Sequence, residues 1–296
     1  MQMNPDRIHI QRLQALDFWR APIALEPLPG GITNLNYRVR MGAETYVARL
    51  SVELALLGID RRNEVVCQRA AHSLGVAPAV IHHETGVLIS EYIPGRTLSP
   101  PDVRDLAFVP RIAHVLRTLH DGWDTLNGEF LYFSAFQTVR TYARTAAELK
   151  AKLPVDIDAL LEDARRLSGR IAPFVPVLCH NDLLPANILD DGHSVLLVDW
   201  EYAGIGHPLF DLAGVSANSG FDDSLDALFL AFYRSTTDVC PRDLAELRIL
   251  KTMSLLREAL WSAIQSVASN IPFDYTQYAA TNFLAYREAR AKFIDS

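Results

Sequence analysis

The chain has 296 residues, of which 49% are apolar and 21% are charged. This composition is close to the globular average, so there is enough apolar material for a substantial core, and global disorder is excluded. The 28 Lys and Arg residues against 35 Asp and Glu residues give a net charge of −7. That is the wrong sign for a protein whose main role is to bind nucleic acid or an anionic membrane through a basic face.

The three cysteines, Cys67, Cys179 and Cys240, are widely spaced and form no C-x-x-C pair. Their pattern favours buried free thiols in a reducing compartment over disulfides or a zinc site. Residues 1–20 lack the continuous apolar core of a signal peptide, and no stretch reaches the roughly 18 apolar residues of a membrane span. We therefore expect a cytoplasmic protein with no membrane insertion and no nucleic-acid partner.

The first third of the chain is predicted to be a β meander with one helix. Periodicity and turn residues predict strands over Ile23–Leu28, Leu35–Arg40, Tyr46–Leu50, Ala79–His83 and Val87–Tyr92, and a helix over Arg61–Ser73. Gly75 stands where a helix stop belongs.

After residue 93 the pattern becomes mostly helical. Helices are predicted up to His120, over Val139–Lys150 and Ile157–Leu167, and from Phe210 to the end, with short strands at Val175–Cys179, Ile188–Asp190 and Val195–Val198. The sequence therefore predicts an α+β chain with a small lobe over residues 1–93 and a larger helical lobe over residues 94–296.

Polar residues suited to phosphoryl transfer follow two of the late strands. Asp182 and Asn187 lie in the segment after the predicted strand Val175–Cys179, and Asp199 stands at the end of the predicted strand Val195–Val198. Phosphoryl transfer needs a carboxylate to orient or deprotonate the attacking hydroxyl, and an Asn with a second carboxylate to hold Mg²⁺ against the phosphates. These residue types predict Asp182 as the base and Asn187 and Asp199 as metal ligands.

Chance and local structure are the competing explanations of this pattern. His-x-Asp-x-x-x-x-Asn would arise by chance in about two per cent of chains of this composition. Isolated Asp and Asn residues usually form turns and caps, and a lone His such as His180 is more often a hydrogen-bonded structural residue than a metal ligand.

The segment His180-Asn181-Asp182-Leu183-Leu184-Pro185-Ala186-Asn187, followed by Val198-Asp199-Trp200-Glu201-Tyr202, resembles the catalytic region of choline and ethanolamine kinases. These form a small-molecule branch of the aminoglycoside phosphotransferase and protein-kinase-like superfamily. The resemblance spans about residues 29–265 and implies a bilobal protein-kinase-like fold that uses ATP and Mg²⁺. Protein kinases have Arg where Asn181 stands, which disfavours protein substrates.

The resemblance implies nucleotide contacts in the small lobe. A glycine turn with Gly30, Gly31, Thr33 and Asn34 would let backbone N–H groups approach ATP phosphates, although a glycine pair between strands is more often a simple hairpin turn. Arg49 takes the strand position of the usual phosphate-contacting Lys, with Glu64 as its ion-pair partner. Arg at this position favours the choline kinase branch, and the competing interpretation is a strand-edge Arg in a surface salt bridge.

Two further positions follow from the resemblance alone. Glu91 and Ile93 fall at the interlobe hinge, where their backbone groups would bind the adenine edge. Asp211 matches a buried aspartate that caps a helix and braces the catalytic loop by accepting backbone hydrogen bonds. The resemblance therefore makes His180 and Asp211 supporting residues.

The substrate implied is a small cationic amino alcohol, most simply choline or ethanolamine. Aromatic faces and carboxylates stabilise such a cation. The aromatic candidates are Tyr202 and Trp261, with Trp261 equally compatible with core packing, and Glu201 and Glu258 could supply negative charge. An aminoglycoside or thiamine kinase would use the same loop, and a non-catalytic nucleotide-binding protein is the alternative outside the enzymes. The sequence indicates no oligomeric state.

Overall fold

The computed structural model describes residues 5–28, 34–51, 55–269, 271 and 273–293. The first part of the chain forms a five-stranded antiparallel sheet with the strand order β1-β2-β3-β5-β4. Its elements are α1 (Pro5–Gln14), β1 (Ile23–Leu28), β2 (Leu35–Met41), β3 (Glu44–Leu50), α2 (Arg61–Ser73), β4 (Val80–Glu84) and β5 (Val87–Glu91).

The rest of the chain is mainly helical. Its helices are α3 (Pro100–Arg104), α4 (Val109–Gly122), α5 (Ala135–Glu148), α6 (Ile157–Ser168), α7 (Pro208–Ser219), α8 (Asp223–Arg234), α9 (Pro241–Ala268) and α10 (Tyr275–Ala291). Five short strands, β6 (Arg96–Thr97), β7 (Val177–Cys179), β8 (Ile188–Asp190), β9 (Val195–Leu197) and β10 (Gly204–Gly206), form a β6-β8-β9 sheet and a β7-β10 pair. The predicted α+β class is confirmed.

Buried apolar residues of the described chain form two clusters. The smaller joins Leu13 of α1 to sheet residues such as Val39 and Ile89. The larger fills the helical part and includes Cys67 and Ala71 of α2, so the apolar face of α2 packs against the large core. The proposed division at residues 93 and 94 stays a prediction.

Helix α2 begins and ends as its sequence indicates. The Asp60 side chain accepts the N–H groups of Arg62 and Asn63 at 2.8 and 2.9 Å, which satisfies donors that a helix start leaves open. Gly75 follows the helix with a φ of 74°, a conformation that glycine adopts without steric cost. The helix bounds therefore match the prediction. Helix α2 brings Glu64 into contact with Arg49 of β3.

The segment between β5 and β6 passes close to the β8–β9 turn. A Cβ atom on Gly95 would lie 2.4 Å from the carbonyl oxygen of Asp190. We expect Gly95→Ala to cost about 1–3 kcal/mol of stability, because backbone atoms must shift to relieve the overlap. Gly169→Ala is the control, since its Cβ would meet nothing closer than 3.5 Å. Thermal unfolding checks this, and equal midpoints for the two variants would contradict it.

The cysteines follow the sequence expectation in two cases of three. Cys67 and Cys179 are buried free thiols, whereas Cys240 is exposed just before α9. The prediction of burial was wrong for Cys240 because the residue precedes Pro241 at a helix start on the surface. A helix that the sequence analysis did not predict, α1, covers one face of the sheet.

Candidate active site

The segment after β7 carries the predicted catalytic loop, and Asp211 holds its first two residues. Its carboxylate accepts the backbone N–H of His180 at 2.8 Å and that of Asn181 at 2.7 Å. Asn181 has a φ of 65°, a left-handed conformation that Asn tolerates better than most residues. The His180 ring donates from Nε2 to the carbonyl of Val198 at 2.9 Å. These contacts fix the turn that presents Asp182.

One detail of the expectation for Asp211 was wrong. The N-cap of α7 is His207, whose ring Nδ1 accepts the N–H of Leu209 at 3.1 Å, and Asp211 lies one turn further along. The Asp211 carboxylate therefore does not cap the helix, because its oxygens are turned towards the catalytic loop. Its role as a supporting residue, with His180, stays a proposal.

Asp211 also belongs to a buried cluster whose donor atoms have metal-ligand spacing. The ligand atoms of His120, Cys179 and Asp211 lie within 4.8 Å of one another. The His120 ring, however, contacts the Tyr233 hydroxyl at 2.8 Å and the Asp211 carboxylate at 3.1 Å. Both ring nitrogens have protein partners, so the cluster is a satisfied hydrogen-bond network behind the catalytic loop.

Asn187 and Asp199 come together at the open end of the β8–β9 pair. The N–H of Val198 donates to the carbonyl of Asn187 at 3.0 Å, which sets Asp199 directly beyond this pair. The Asn187 side chain donates from Nδ2 to the carbonyl of Asp182 at 2.8 Å. Asp199 has a φ of 67°, so the chain turns sharply where the carboxylate is presented. The three residues of the predicted pattern thus share one edge.

The chemistry of this edge fits a divalent cation. Asn187 and Asp199 offer oxygen ligands, which Mg²⁺ prefers. Burial, followed by repulsion from Glu201, raises the pKa of Asp199 above its ordinary value, although Arg49 opposes the shift. The carboxylates of Asp182 and Glu201 act on Asp199 here together with the guanidinium groups of Arg49 and Arg61, and a bound Mg²⁺ would add positive charge beside Asp199.

Arg49 connects the sheet to α2 and to the metal-site edge. Its Nη2 forms an ion pair with Oε1 of Glu64, and its Nη1 donates to Oδ1 of Asp199 at 2.5 Å. Arg49 and Glu64 are both buried, which is not the environment of a surface salt bridge. The structure places the expected ion pair together, and the contact of Arg49 with ATP stays a proposal.

Arg61 was not predicted as a site residue, yet it contacts two buried carboxylates. Its Nη1 donates to Oε2 of Glu201 at 2.8 Å and to Oε2 of Glu64 at 3.0 Å, and its Nη2 donates to Oδ1 of Asn34 at 3.2 Å. The Asn34 amide also donates to Glu201 at 3.0 Å. Glu201 therefore faces Asn34 and Arg61, and its predicted contact with the acceptor stays a proposal. Arg61 lies in the first turn of α2, where a charged residue gives no local signal of burial.

The structure describes only some of the other residues that were predicted to contact ATP. Gly30, Gly31 and Thr33 lie outside the described residues. Glu91 ends β5, and its N–H donates to the carbonyl of Ala79 at 2.9 Å. An adenine contact at Glu91 would therefore use the carbonyl, and the proposed contact at Ile93 follows two residues later.

The proposed acceptor residues Tyr202 and Trp261 are in contact with each other. The Trp261 indole donates from Nε1 to the Tyr202 hydroxyl at 3.1 Å, and its ring packs edge-on against Tyr275 at 5.9 Å. Both Tyr202 and Trp261 are buried. A second residue that sequence analysis missed, Arg257, donates to Asp182 at 2.9 Å from the middle of α9. Its position 75 residues further along the chain gave no local signal of this contact.

Within the part of the chain that the structure describes, no helix has both the length and the apolar character needed to cross a bilayer.

Similar proteins agree with this arrangement. Protein LicA of Haemophilus influenzae is 26% identical over 71% of this chain, and the match spans 62% of LicA. A protein named probable ethanolamine kinase A of Dictyostelium discoideum is 25% identical over 92% of this chain and 87% of its own length. The crystal structure of a choline/ethanolamine kinase family protein from Mesorhizobium loti has a TM-score of 0.77 and 27% identity, and the match covers 97% of this chain and 95% of that one.

This structural likeness confirms the predicted bilobal, protein-kinase-like fold. Residues 24–250 match the phosphotransferase enzyme family (APH), and this range includes the sheet, the catalytic loop and the metal-site edge. Because the match covers most of the chain and the site lies within it, the chain belongs to the phosphotransferase enzyme family.

Proposed function

We propose that the protein transfers the γ-phosphate of ATP to the hydroxyl of a small amino alcohol, choline or ethanolamine. The observation that carries the proposal is the convergence of Asp182, Asn187 and Asp199 on one edge, with the Arg49–Glu64 ion pair facing it. The relatives named for ethanolamine and choline support this acceptor class.

In the proposed reaction the acceptor oxygen forms a bond to the γ-phosphorus. The bond from that phosphorus to the oxygen bridging to the β-phosphate breaks, and ADP leaves with its electron pair. The hydroxyl proton passes to the Asp182 carboxylate, which the loop contacts of Asp211 hold in place. Positioning and charge stabilisation do most of the catalytic work in such a reaction.

The residues on the two sides of the cleft have separate tasks. Asn187 and Asp199 would hold Mg²⁺, which neutralises phosphate charge when bound. Arg49, kept in place by Glu64, would contact the phosphates through its planar donor fork. The glycine turn with Gly30, Gly31, Thr33 and Asn34 would cover the phosphates, and the backbone of Glu91 and Ile93 would bind the adenine.

The acceptor side of the site favours a small substrate. A cavity of about 370 Å³ is lined by Glu201 and Tyr202 but not by Asp182 or Trp261, and we propose that it admits the acceptor. Among the described residues that line it, Asp60 and Glu201 carry the carboxylates, and the others are apolar, aromatic or neutral polar. An aminoglycoside carries several ammonium groups and would be better matched by a wider acidic surface. We therefore propose Glu201, Tyr202 and Trp261 as residues around a small cationic acceptor. We also propose a cytoplasmic location for the reaction.

An acceptor screen tests the proposal. The purified protein is incubated with Mg²⁺-ATP and either choline, ethanolamine, thiamine, a sugar or an aminoglycoside, and ADP release is measured against a reaction without acceptor. We expect acceptor-dependent turnover with an amino alcohol and only background release with the others. Turnover confined to thiamine or an aminoglycoside would replace the proposed substrate, and nucleotide binding without turnover on any acceptor would indicate a non-catalytic protein.

A further inference from the structure

Arg257 is a buried cation that contacts the proposed base Asp182. It lies in the middle of α9 and is only 4% exposed. A buried guanidinium is costly unless it is paired and hydrogen-bonded. Its Nη1 donates to Oδ1 of Asp182 at 2.9 Å and to the carbonyl of Asn181 at 3.2 Å. One nitrogen thus holds both the proposed base and the backbone of the residue before it.

The same guanidinium covers an aromatic face. The central carbon of Arg257 lies 4.4 Å from the centroid of the Tyr202 ring and 5.8 Å from that of Phe133. Both distances are within the range of a cation–π contact. The Tyr202 hydroxyl is also bound, since it accepts the Trp261 indole N–H at 3.1 Å. This face of Tyr202 is therefore occupied by a cation of the chain itself.

A buried carboxylate lies next to Arg257 in sequence. Glu258 accepts a hydrogen bond from the Tyr278 hydroxyl at 2.9 Å and is nearly inaccessible to solvent. Burial, followed by repulsion from Asp182, raises the pKa of Glu258 above its ordinary value, although Arg257 opposes the shift. Among the described residues the ion pair of Arg257 is with Asp182, and Glu258 contacts the Tyr278 hydroxyl, so a bound cation would balance the charge of Glu258.

The type of cation follows from these contacts. A quaternary ammonium has no N–H group and depends mainly on aromatic faces, one of which Arg257 already covers. A primary ammonium can neutralise the carboxylate of Glu258 and also donate hydrogen bonds to it. The chemistry around Asp182 therefore suits an acceptor whose nitrogen carries hydrogens.

We propose that Arg257 positions the Asp182 carboxylate and, by covering Tyr202, selects a primary amino alcohol over its quaternary analogue. This inference rests on the proposed function. Through its contact with Oδ1, Arg257 turns the other carboxylate oxygen of Asp182 towards the acceptor hydroxyl. It acts on the reaction through Asp182 and is a positioning residue.

The wild-type protein tests the selectivity directly. Rates are measured with ethanolamine, its N-methyl and N,N-dimethyl derivatives, and choline, at saturating Mg²⁺-ATP. We expect kcat/KM for ethanolamine to exceed that for choline by about 10-fold or more, with a marked loss when the last N–H is replaced. A kcat/KM for choline equal to that for ethanolamine would overturn this inference and leave the proposed function standing. Absence of turnover with all four compounds would overturn the proposed function, and this inference with it.

Variants on α9 test the positioning role. Arg257→Met keeps the length of the side chain without its charge, Arg257→Lys restores the charge, and Arg248→Met on the same helix is the control. For ethanolamine we expect Arg257→Met to lower kcat by about 100-fold, with the KM for Mg²⁺-ATP unchanged, and to reduce the preference over choline. Arg257→Lys should recover part of kcat, and Arg248→Met should match the wild type.

Calorimetric binding of a non-hydrolysable ATP analogue separates this effect from misfolding. An Arg257→Met protein that binds the analogue normally and keeps wild-type kcat would overturn the positioning role. If that variant does not fold, the comparison of ethanolamine with its methylated derivatives on the wild-type protein decides the inference.

Discussion

Replacing Asp182 with Asn is expected to lower kcat by about 10³-fold, the range found when a general base is lost. Asn keeps an oxygen that can accept the Arg257 hydrogen bond now made to Oδ1 at 2.9 Å, so the loop geometry survives. What is lost is the carboxylate charge that orients the acceptor hydroxyl and takes its proton. ATP binding should survive because the proposed nucleotide contacts come from other residues. Steady-state kinetics and calorimetry with Mg²⁺-ATP measure the two properties.

A matched control comes from Asp222, the exposed N-cap of α8. Asn caps helices about as well as Asp, so Asp222→Asn makes the same chemical change at an exposed helix start and should leave kcat near the wild-type value. If Asp182→Asn retained wild-type turnover, Asp182 would not be the base and the proposed mechanism would be wrong.

Asp199→Asn is expected to lower turnover by about 10³-fold, because it removes the negative charge of a proposed metal ligand that is also one of the two ion-pair partners of Arg49. Asp199 stands at a φ of 67°, and Asn is one of the residues that tolerates this conformation. The backbone should therefore keep its course, and the effect should come from charge. Rates measured across a range of Mg²⁺ concentrations should show that more Mg²⁺ is needed for half-maximal activity.

Asp191→Asn tests whether this effect is specific to the metal-site edge. Asp191 lies in the turn between β8 and β9, where its Oδ1 accepts the N–H groups of His193 and Ser194 at 2.7 and 2.5 Å. Its replacement should leave both kcat and the Mg²⁺ requirement unchanged. If Asp199→Asn had the same Mg²⁺ requirement as the wild type, Asp199 would not be a metal ligand.

The helices and strands with strong local signals could be predicted from the sequence. Strand β1, helix α2 and strand β8 have the predicted bounds, because alternation, helical periodicity and a capping Asp60 are local signals. Strands β6 and β10 were missed. They have two and three residues, too few for a period, and they exist because a distant strand lies beside them.

The site residues also differ in whether a local sequence signal identifies them. Asp182, Asn187 and Asp199 could be found because their spacing and strand positions are written in one stretch of sequence. The contacts of Arg61 with Glu201 and of Arg257 with Asp182 bridge 140 and 75 residues. Such contacts depend on tertiary packing of α2 and α9, which no local pattern specifies. The same limit hid the contact that turns Glu201 towards Asn34.

Phosphorus NMR of one reaction mixture tests the proposed transfer most directly. Protein, Mg²⁺, ATP and ethanolamine are combined, and the γ-phosphate resonance of ATP is followed with time. We expect ADP and a phosphomonoester of the acceptor to appear in equal amounts, and neither to form with Asp182→Asn. An unchanged ATP spectrum, or release of inorganic phosphate without a phosphomonoester, would contradict transfer to an amino alcohol.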